Sequence, residues 1–327
     1  MKRMMAVVIW AVCRLPGQTP VVLDIDVSNT TAYYYDNFEP PKYGTNPNQM
    51  TTGAVTNFYS FLNFGDLTAV NGEPAKGTWV ARVVAFRMAT SSVAGQMIGD
   101  MNRFGIAEFQ IEVLRADGVV VGSIFMQGQN FGPATPGAPT VSNGGAFAVV
   151  GGTGAFLGAR GQMTTAPSRT GGGARNTSVQ EDPSLRRTRP GGGQRLIIQL
   201  IPNQTPEFAM EGGEPQVFHA DFTRVSAASP ARAGETLLAM VKGLGATTPA
   251  LDAGASFSSD PLSTAIAPVS VVVNGNATPA LTQVGWPGTT DSYRVDFRVP
   301  DDTRPGAAVL RLRAAWVPGA ETRIAVR

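Results

Sequence analysis

The sequence predicts an all-β protein in two units, a barrel followed by a β-sandwich. Three observations carry this. Glycine (38) and proline (24) are abundant among the 327 residues and charged residues make up only 15%, which suits many short strands and turns. Apolar and polar residues alternate in run after run, the period of a half-buried strand. Asn71-Gly72 and Asp117-Gly118 fall between such runs, where a two-residue hairpin turn needs positive φ.

The elements follow in order. Met1-Lys2-Arg3, the apolar run Met4 to Val12 and Leu15-Pro16-Gly17 read as an export signal over residues 1–17. That run is too short to span a bilayer. The first strand is expected at Val21 to Asp26, with Val21, Leu23 and Ile25 opposite Val22, Asp24 and Asp26. Thr30 to Tyr35, β-branched and aromatic, forms a second. Asn37 to Thr52, rich in Pro and Asn, is a loop. Strands follow at Ser60 to Val70, Gly77 to Met88, Ile106 to Leu114 and Val119 to Gln127.

Ala146 to Gly161 admits two readings. A dinucleotide fingerprint needs G-x-G-x-x-G between a strand and a helix, but Gly158 falls one residue late and no helical period follows. Strand, tight turn and second strand fits instead, with Phe156 and Leu157 resuming the apolar run.

Residues 166–195 break the pattern. They carry two Gly-Gly-Gly runs and six arginines (Arg169, Arg175, Arg186, Arg187, Arg189, Arg195) against Glu181 and Asp182, and read as a flexible surface insertion or a binding loop. Arg195 to Ile201 and Val217 to Val225 complete the first unit, residues 18–225. Ala227-Ala228-Ser229-Pro230 reads as a linker, and the short strands of 226–327 fit a sandwich.

Several chemistries are excluded by count. Net charge is +2, too small to imply nucleic acid or an acidic membrane. Cys13, the single cysteine, lies in the expected signal, leaving no disulfide, thiol nucleophile or Cys-type zinc site in the mature chain. His219 is the single histidine and sits in an alternating run, so a strand histidine is expected rather than a catalytic one. No G-x-S-x-G elbow supplies a serine nucleophile. A hydrolase and a dehydrogenase are therefore not expected, nor is any cofactor or metal.

Two resemblances add to this. Phe64-Gly65-Asp66-Leu67, Val119 to Ile124, and Val149-Val150-Gly151-Gly152-Thr153-Gly154 through Gly158-Ala159-Arg160-Gly161 are similar to segments of dirigent and allene-oxide-cyclase-like barrels. Dirigent proteins carry a GGTG-x-F-x-x-ARG segment of this kind, and residues 21–225 resemble them. The Gly/Arg insertion departs from the plant pattern. Residues 229–327 resemble an Ig-like module of secreted bacterial proteins, notably acidobacterial ones. Ala231 to Leu237, Gly243-Leu244-Gly245 and Tyr293 to Pro300 carry that match.

The first resemblance implies an antiparallel eight-stranded barrel with a ligand-sized lumen. Such proteins guide the coupling of phenoxy radicals made by a separate oxidase, or promote a cyclisation, without a cofactor. The implied partner is a small apolar or phenolic molecule. Arg160 matches the motif arginine that lines the family's cavity, and Asp24 or Asp26 could match its acidic residue. Tyr33, Tyr35, Arg82, Glu108, Gln110 and Glu112 are further polar groups on strands, facing either lumen or solvent. The second resemblance implies export and surface placement. The alternative is a non-catalytic cell-surface or adhesion protein with a structural barrel.

Overall fold

A computed structural model describes residues 20–35, 58–87, 103–131, 146–252 and 254–327. The expected signal at 1–17 and the Asn37 to Thr52 loop lie outside the described residues.

The fold is all-β, and its first unit is a closed antiparallel barrel of eight strands. These are β1 (Val21–Tyr35), β2 (Phe58–Val70), β3 (Glu73–Arg87), β4 (Arg103–Arg115), β5 (Val120–Phe131), β6 (Ala146–Gly152), β7 (Arg160–Ala166) and β9 (Gln194–Ile201). Each pairs with the next, and β1 closes the ring between β2 and β9. β8 (Arg175–Ser178) lies outside the ring, parallel to β1, and a single helical turn, α1 (Leu185–Thr188), follows it. Asn71-Gly72 forms the expected two-residue turn, and Asp117-Gly118 reverses the chain within a longer connection, residues 116–119.

The two strands expected at Val21 to Asp26 and Thr30 to Tyr35 are one. β1 passes through Asn29, whose left-handed φ of 52° accompanies a register shift against β2 between Ser28 and Thr31. A bulge keeps such a strand continuous while bending it.

Alternation decides what fills the barrel. Leu23, Ile25, Trp79, Ile111, Ile124, Met126, Met163, Leu196, Ile198 and Leu200 are buried. Across the interior, Trp79 stacks on Phe109 at 6.2 Å between centroids, and Phe109 meets Phe147 edge-on at 4.5 Å. At the end of the barrel that carries the Asn71-Gly72 and Asp117-Gly118 turns, the Gly-rich hairpin is not a tight turn. Residues 153–159 connect β6 to β7 through a 3₁₀ turn, Gly154–Phe156. Gly154 takes φ +59°, and a Cβ there would stand 2.3 Å from the Val121 carbonyl oxygen. Phe156 does not resume a strand but turns inward, 2% exposed, while Leu157 is left outside.

The second unit is a sandwich of two main sheets. One contains β10 (Glu207–Phe208), β13 (Val217–Phe218), β14 (Thr236–Lys242), β15 (Thr247–Thr248), β16 (Thr264–Ala265), β19 (Thr282–Gly285) and β20 (Ser292–Arg298). The other has β17 (Val269–Val273), β18 (Asn276–Pro279), β21 (Gly306–Ala314) and β22 (Val317–Val326). β11 (Met210–Glu211) and β12 (Glu214–Pro215) form a small ribbon. The strand expected at Val217 to Val225 is not a barrel strand. It stops at Phe218, pairs with β14, and gives way to a turn in which Phe222 is exposed with φ 63°.

Candidate functional site

The barrel interior is where a ligand was expected, and the expected site residues do not face it. Asp24 and Asp26 alternate with the buried Leu23 and Ile25, so they point outward. There Arg195 Nη2 and Arg169 Nη2 each lie 2.6 Å from Asp24 Oδ2, and Arg169 also bonds Asp26. The Arg195 hydrogen bond, against the opposing effect of burial and with help from Arg169, holds the Asp24 carboxyl below its ordinary value. Arg82 and Glu108, directly opposite on β3 and β4, form a solvent-exposed ion pair at 2.7 Å. Gln110 and Glu112 share that outer face by alternation. Arg160 is exposed at the start of β7, flanked by the buried Ala159. Arg160 therefore does not line the lumen. Tyr35 ends β1, and its side chain lies outside the described residues.

Tyr33 is buried, but on the outer face, because the Gly/Arg segment covers it. That segment is a folded strap rather than a flexible insertion. Asp66 on β2 accepts from Arg186 at 2.7 Å and from Asn29 at 2.9 Å, with Arg187 at 3.4 Å. Burial opposes ionisation of Asp66, but those three donors outweigh it and hold its carboxyl below the ordinary value. Arg175 grips Glu181 with two bonds of 2.9 and 2.7 Å. Gly191 crosses β1 so closely that a Cβ would stand 1.9 Å from the Thr30 carbonyl oxygen. Apart from Glu181, the strap's carboxylate acceptors lie on barrel strands, far off in sequence, and its own two acids gave no sign of them.

With the charged candidates outside, the lumen keeps a different chemistry. Among the described residues no charged side chain is buried. Three uncharged polar atoms on the lumen face have no hydrogen-bond partner: Trp79 Nε1, Asn63 Oδ1 and Gln194 Oε1. Strand pairing sets their faces. Asn63 lies opposite Ala32 and Ala81, Trp79 opposite Gly65 and Ile111, and Gln194 opposite Val27. An unpaired buried donor or acceptor costs about 1–3 kcal/mol. The signal for them was in the sequence: Asn63 and Gln194 occupy apolar positions of alternating runs.

His219 has neighbours that its sequence did not reveal. Nδ1 lies 2.6 Å from Glu235 Oε1, and Nε2 lies 3.1 Å from the Ser229 carbonyl and 3.2 Å from Ser229 Oγ. Serine, histidine and carboxylate are thus in contact. The Glu235 hydrogen bond raises the imidazole pKa against the effect of burial, and the Ser229 carbonyl adds to the rise. Both ring nitrogens face acceptors, so the ring holds its proton more tightly than a free imidazole. With Nε2–H given to the Ser229 carbonyl, that nitrogen has no lone pair for the Ser229 proton. The cluster staples the linker to the sandwich.

Between the barrel end and the sandwich lies a cleft of about 970 Å³, walled by Pro20, Val22, Pro202, Arg311, Arg313 and Trp316 among others. A second cavity of about 450 Å³ shares Arg313 and Trp316. Arg313 crosses the junction to Glu73 at 2.7 Å. Trp316 sits at the tip of the β21–β22 hairpin, where Ala315 and Trp316 take φ of 49° and 63°. Turns of this kind favour Asn-Gly, and left-handed backbone costs other residues roughly 1–2 kcal/mol each. Trp316 is 5% exposed, and its Nε1, like Arg311 Nε, has no partner.

Among the described residues no helix is long and apolar enough to cross a membrane. No family model, curated protein or solved structure matches the chain.

Proposed function

We propose that the chain is an exported binding protein whose barrel holds a small, largely apolar molecule carrying a hydroxyl group, a phenol being the simplest case. The observation that carries this is the set of unpaired lumen atoms, Trp79 Nε1, Asn63 Oδ1 and Gln194 Oε1. A hydroxyl is at once donor and acceptor, so one group can accept from the indole N–H and donate to an amide oxygen. Eight-stranded barrels have room for side chains or one small ligand. Apolar walls with a few placed polar groups suit such a guest.

The role this supports is holding and orienting, not acid–base chemistry, since the charged candidates point outward. It agrees with the resemblance to dirigent barrels, which act on radicals made by a separate oxidase. The Ig-like reading of the second unit and the basic, apolar start of the chain support export.

A second reading is favoured by the contacts of Phe109 across the interior, stacked on Trp79 and edge-on to Phe147. In it the barrel is a scaffold and the protein acts through its surface.

Titration with 4-methylphenol and its methyl ether, followed through the Trp79 indole N–H resonance, separates the two. The first reading expects the phenol to move that resonance, the ether to bind more weakly, and Asn63→Leu to erase the preference. No response to either compound rejects it in favour of the scaffold.

A further inference from the structure

We propose that the junction cleft is a second ligand site, taking a small molecule with a flat apolar body that ends in a carboxylate or carboxamide. It stands independently of the lumen reading.

Three observations converge on Trp316. Its ring walls two adjoining cavities, of about 970 and 450 Å³. Spaces of roughly 300–1,000 Å³ at domain junctions are the usual size and place for small-ligand sites. Its backbone, with that of Ala315, is held in the left-handed region. Such outliers persist where the surrounding structure over-determines them, and they cluster at ligand clamps. Its indole N–H is buried without an acceptor.

The chemistry of the ligand follows from what is unspent. Trp316 Nε1 and Arg311 Nε are both donors, and among the described residues no unpaired buried side-chain acceptor lines the cleft. The missing group is therefore an acceptor. Each guanidinium already has a carboxylate, Arg311 with Glu321 and Arg313 with Glu73. The cleft thus carries no uncompensated charge, and a neutral carboxamide and a carboxylate share the required oxygen. Pro20, Val22, Pro202 and the indole face supply apolar contact for the body. Both donors are sealed from solvent. Seating an acceptor therefore requires the Trp316 ring or the Arg311 side chain to shift.

Four tryptophans give four indole signals in the full-length ¹⁵N-labelled chain, and Trp316→Phe assigns the relevant one. The probes are 4-phenylbutyrate, 4-phenylbutanamide and butylbenzene at millimolar concentrations. The acid and the amide are expected to shift the Trp316 N–H downfield, and butylbenzene is not. Arg311→Gln, at a half-exposed side chain that can be replaced without loss of the core, should weaken binding roughly tenfold. Binding of the acid but not the amide, weakened by salt, identifies carboxylates as the class, and equal binding identifies the neutral acceptor. The proposal is overturned if no probe moves the Trp316 signal, if butylbenzene moves it as far as the acid, or if the shifts fall on Trp79. Asn63→Leu should leave all of these results unchanged, so failure of the lumen reading and failure of this one remain distinct.

Discussion

Phe109→Ala tests how tightly the barrel is filled. Phe109 is 8% exposed, stacked on Trp79 and edge-on to Phe147. A buried aromatic ring removes roughly 150–250 Å² from water, worth about 4–6 kcal/mol as an upper bound at about 25 cal/mol/Å². Measured Phe→Ala changes in packed cores cost about 3–5 kcal/mol, because the cavity left behind relaxes only in part. We expect about 4 kcal/mol. With a urea slope of about 2–3 kcal/mol/M, the midpoint falls by roughly 1.3–2 M. The control is on the same strand: Ile106 is 60% exposed, and Ile106→Ala should change stability by less than about 0.5 kcal/mol. Urea unfolding followed by circular dichroism reads both. A Phe109→Ala cost below about 1 kcal/mol would mean that the ring borders open space, and the close packing described between Trp79, Phe109 and Phe147 would fall.

Asp66→Ala should release the strap and leave the part-buried Arg186 unpaired, at a cost of about 1.5–3 kcal/mol; hydrogen exchange across 175–193 should rise, and unchanged protection refutes the latch. Asp24 and Asp66 have carboxyls held below their ordinary value, so their contribution is present above the unfolded carboxyl pKa and is lost as pH falls through the folded one; an acid titration of strap cleavage by pepsin should show this. His219 behaves oppositely. Its pKa is raised, so its contribution is complete below the unfolded imidazole value and is lost as pH rises through the folded one; the melting-temperature gap between wild type and His219→Gln should narrow from pH 5.5 toward pH 9. Gly154→Ala combines left-handed backbone with a Cβ 2.3 Å from the Val121 carbonyl oxygen, and should cost more than about 1 kcal/mol in thermal unfolding.

The strands were legible because alternation is a local signal. Val21 to Asp26 and Ile106 to Leu114 fall inside observed strands, Val119 to Gln127 does so from Val120 onward, and the two Gly turns stand where expected. The Gly-rich hairpin was legible only as a reversal of the chain. Phe156 and Leu157 read as a renewed strand, but the close approach of Gly154 to β5 draws that stretch into a 3₁₀ turn. The site was less legible. Which face of a strand looks inward depends on which face is apolar, and Leu23 and Ile25 already settled that against Asp24 and Asp26. The strap could not be read locally, because its arginines find Asp24, Asp26 and Asp66 on strands remote in sequence. The Ser229 and Glu235 contacts of His219 likewise come from a turn that the strand reading of 216–222 concealed.

The closure of β1 between β2 and β9 also sets a timetable. β2 through β5 are joined by pairings between neighbours in sequence and can form as the chain grows. β1 cannot finish its pairing until the far end of the barrel has been made, since Val21 sits opposite Leu200. Long-range strand pairing of this kind is slow, because the chain must be ordered before the contacts reward it. During synthesis one flank of β1 therefore waits as an open edge, and an open edge is a template for pairing with other chains. The strap grips acids on both β1 and β2, so it can lock only after those two strands have paired. A chain interrupted before residue 194 would carry most of the barrel and still lack its closing strand.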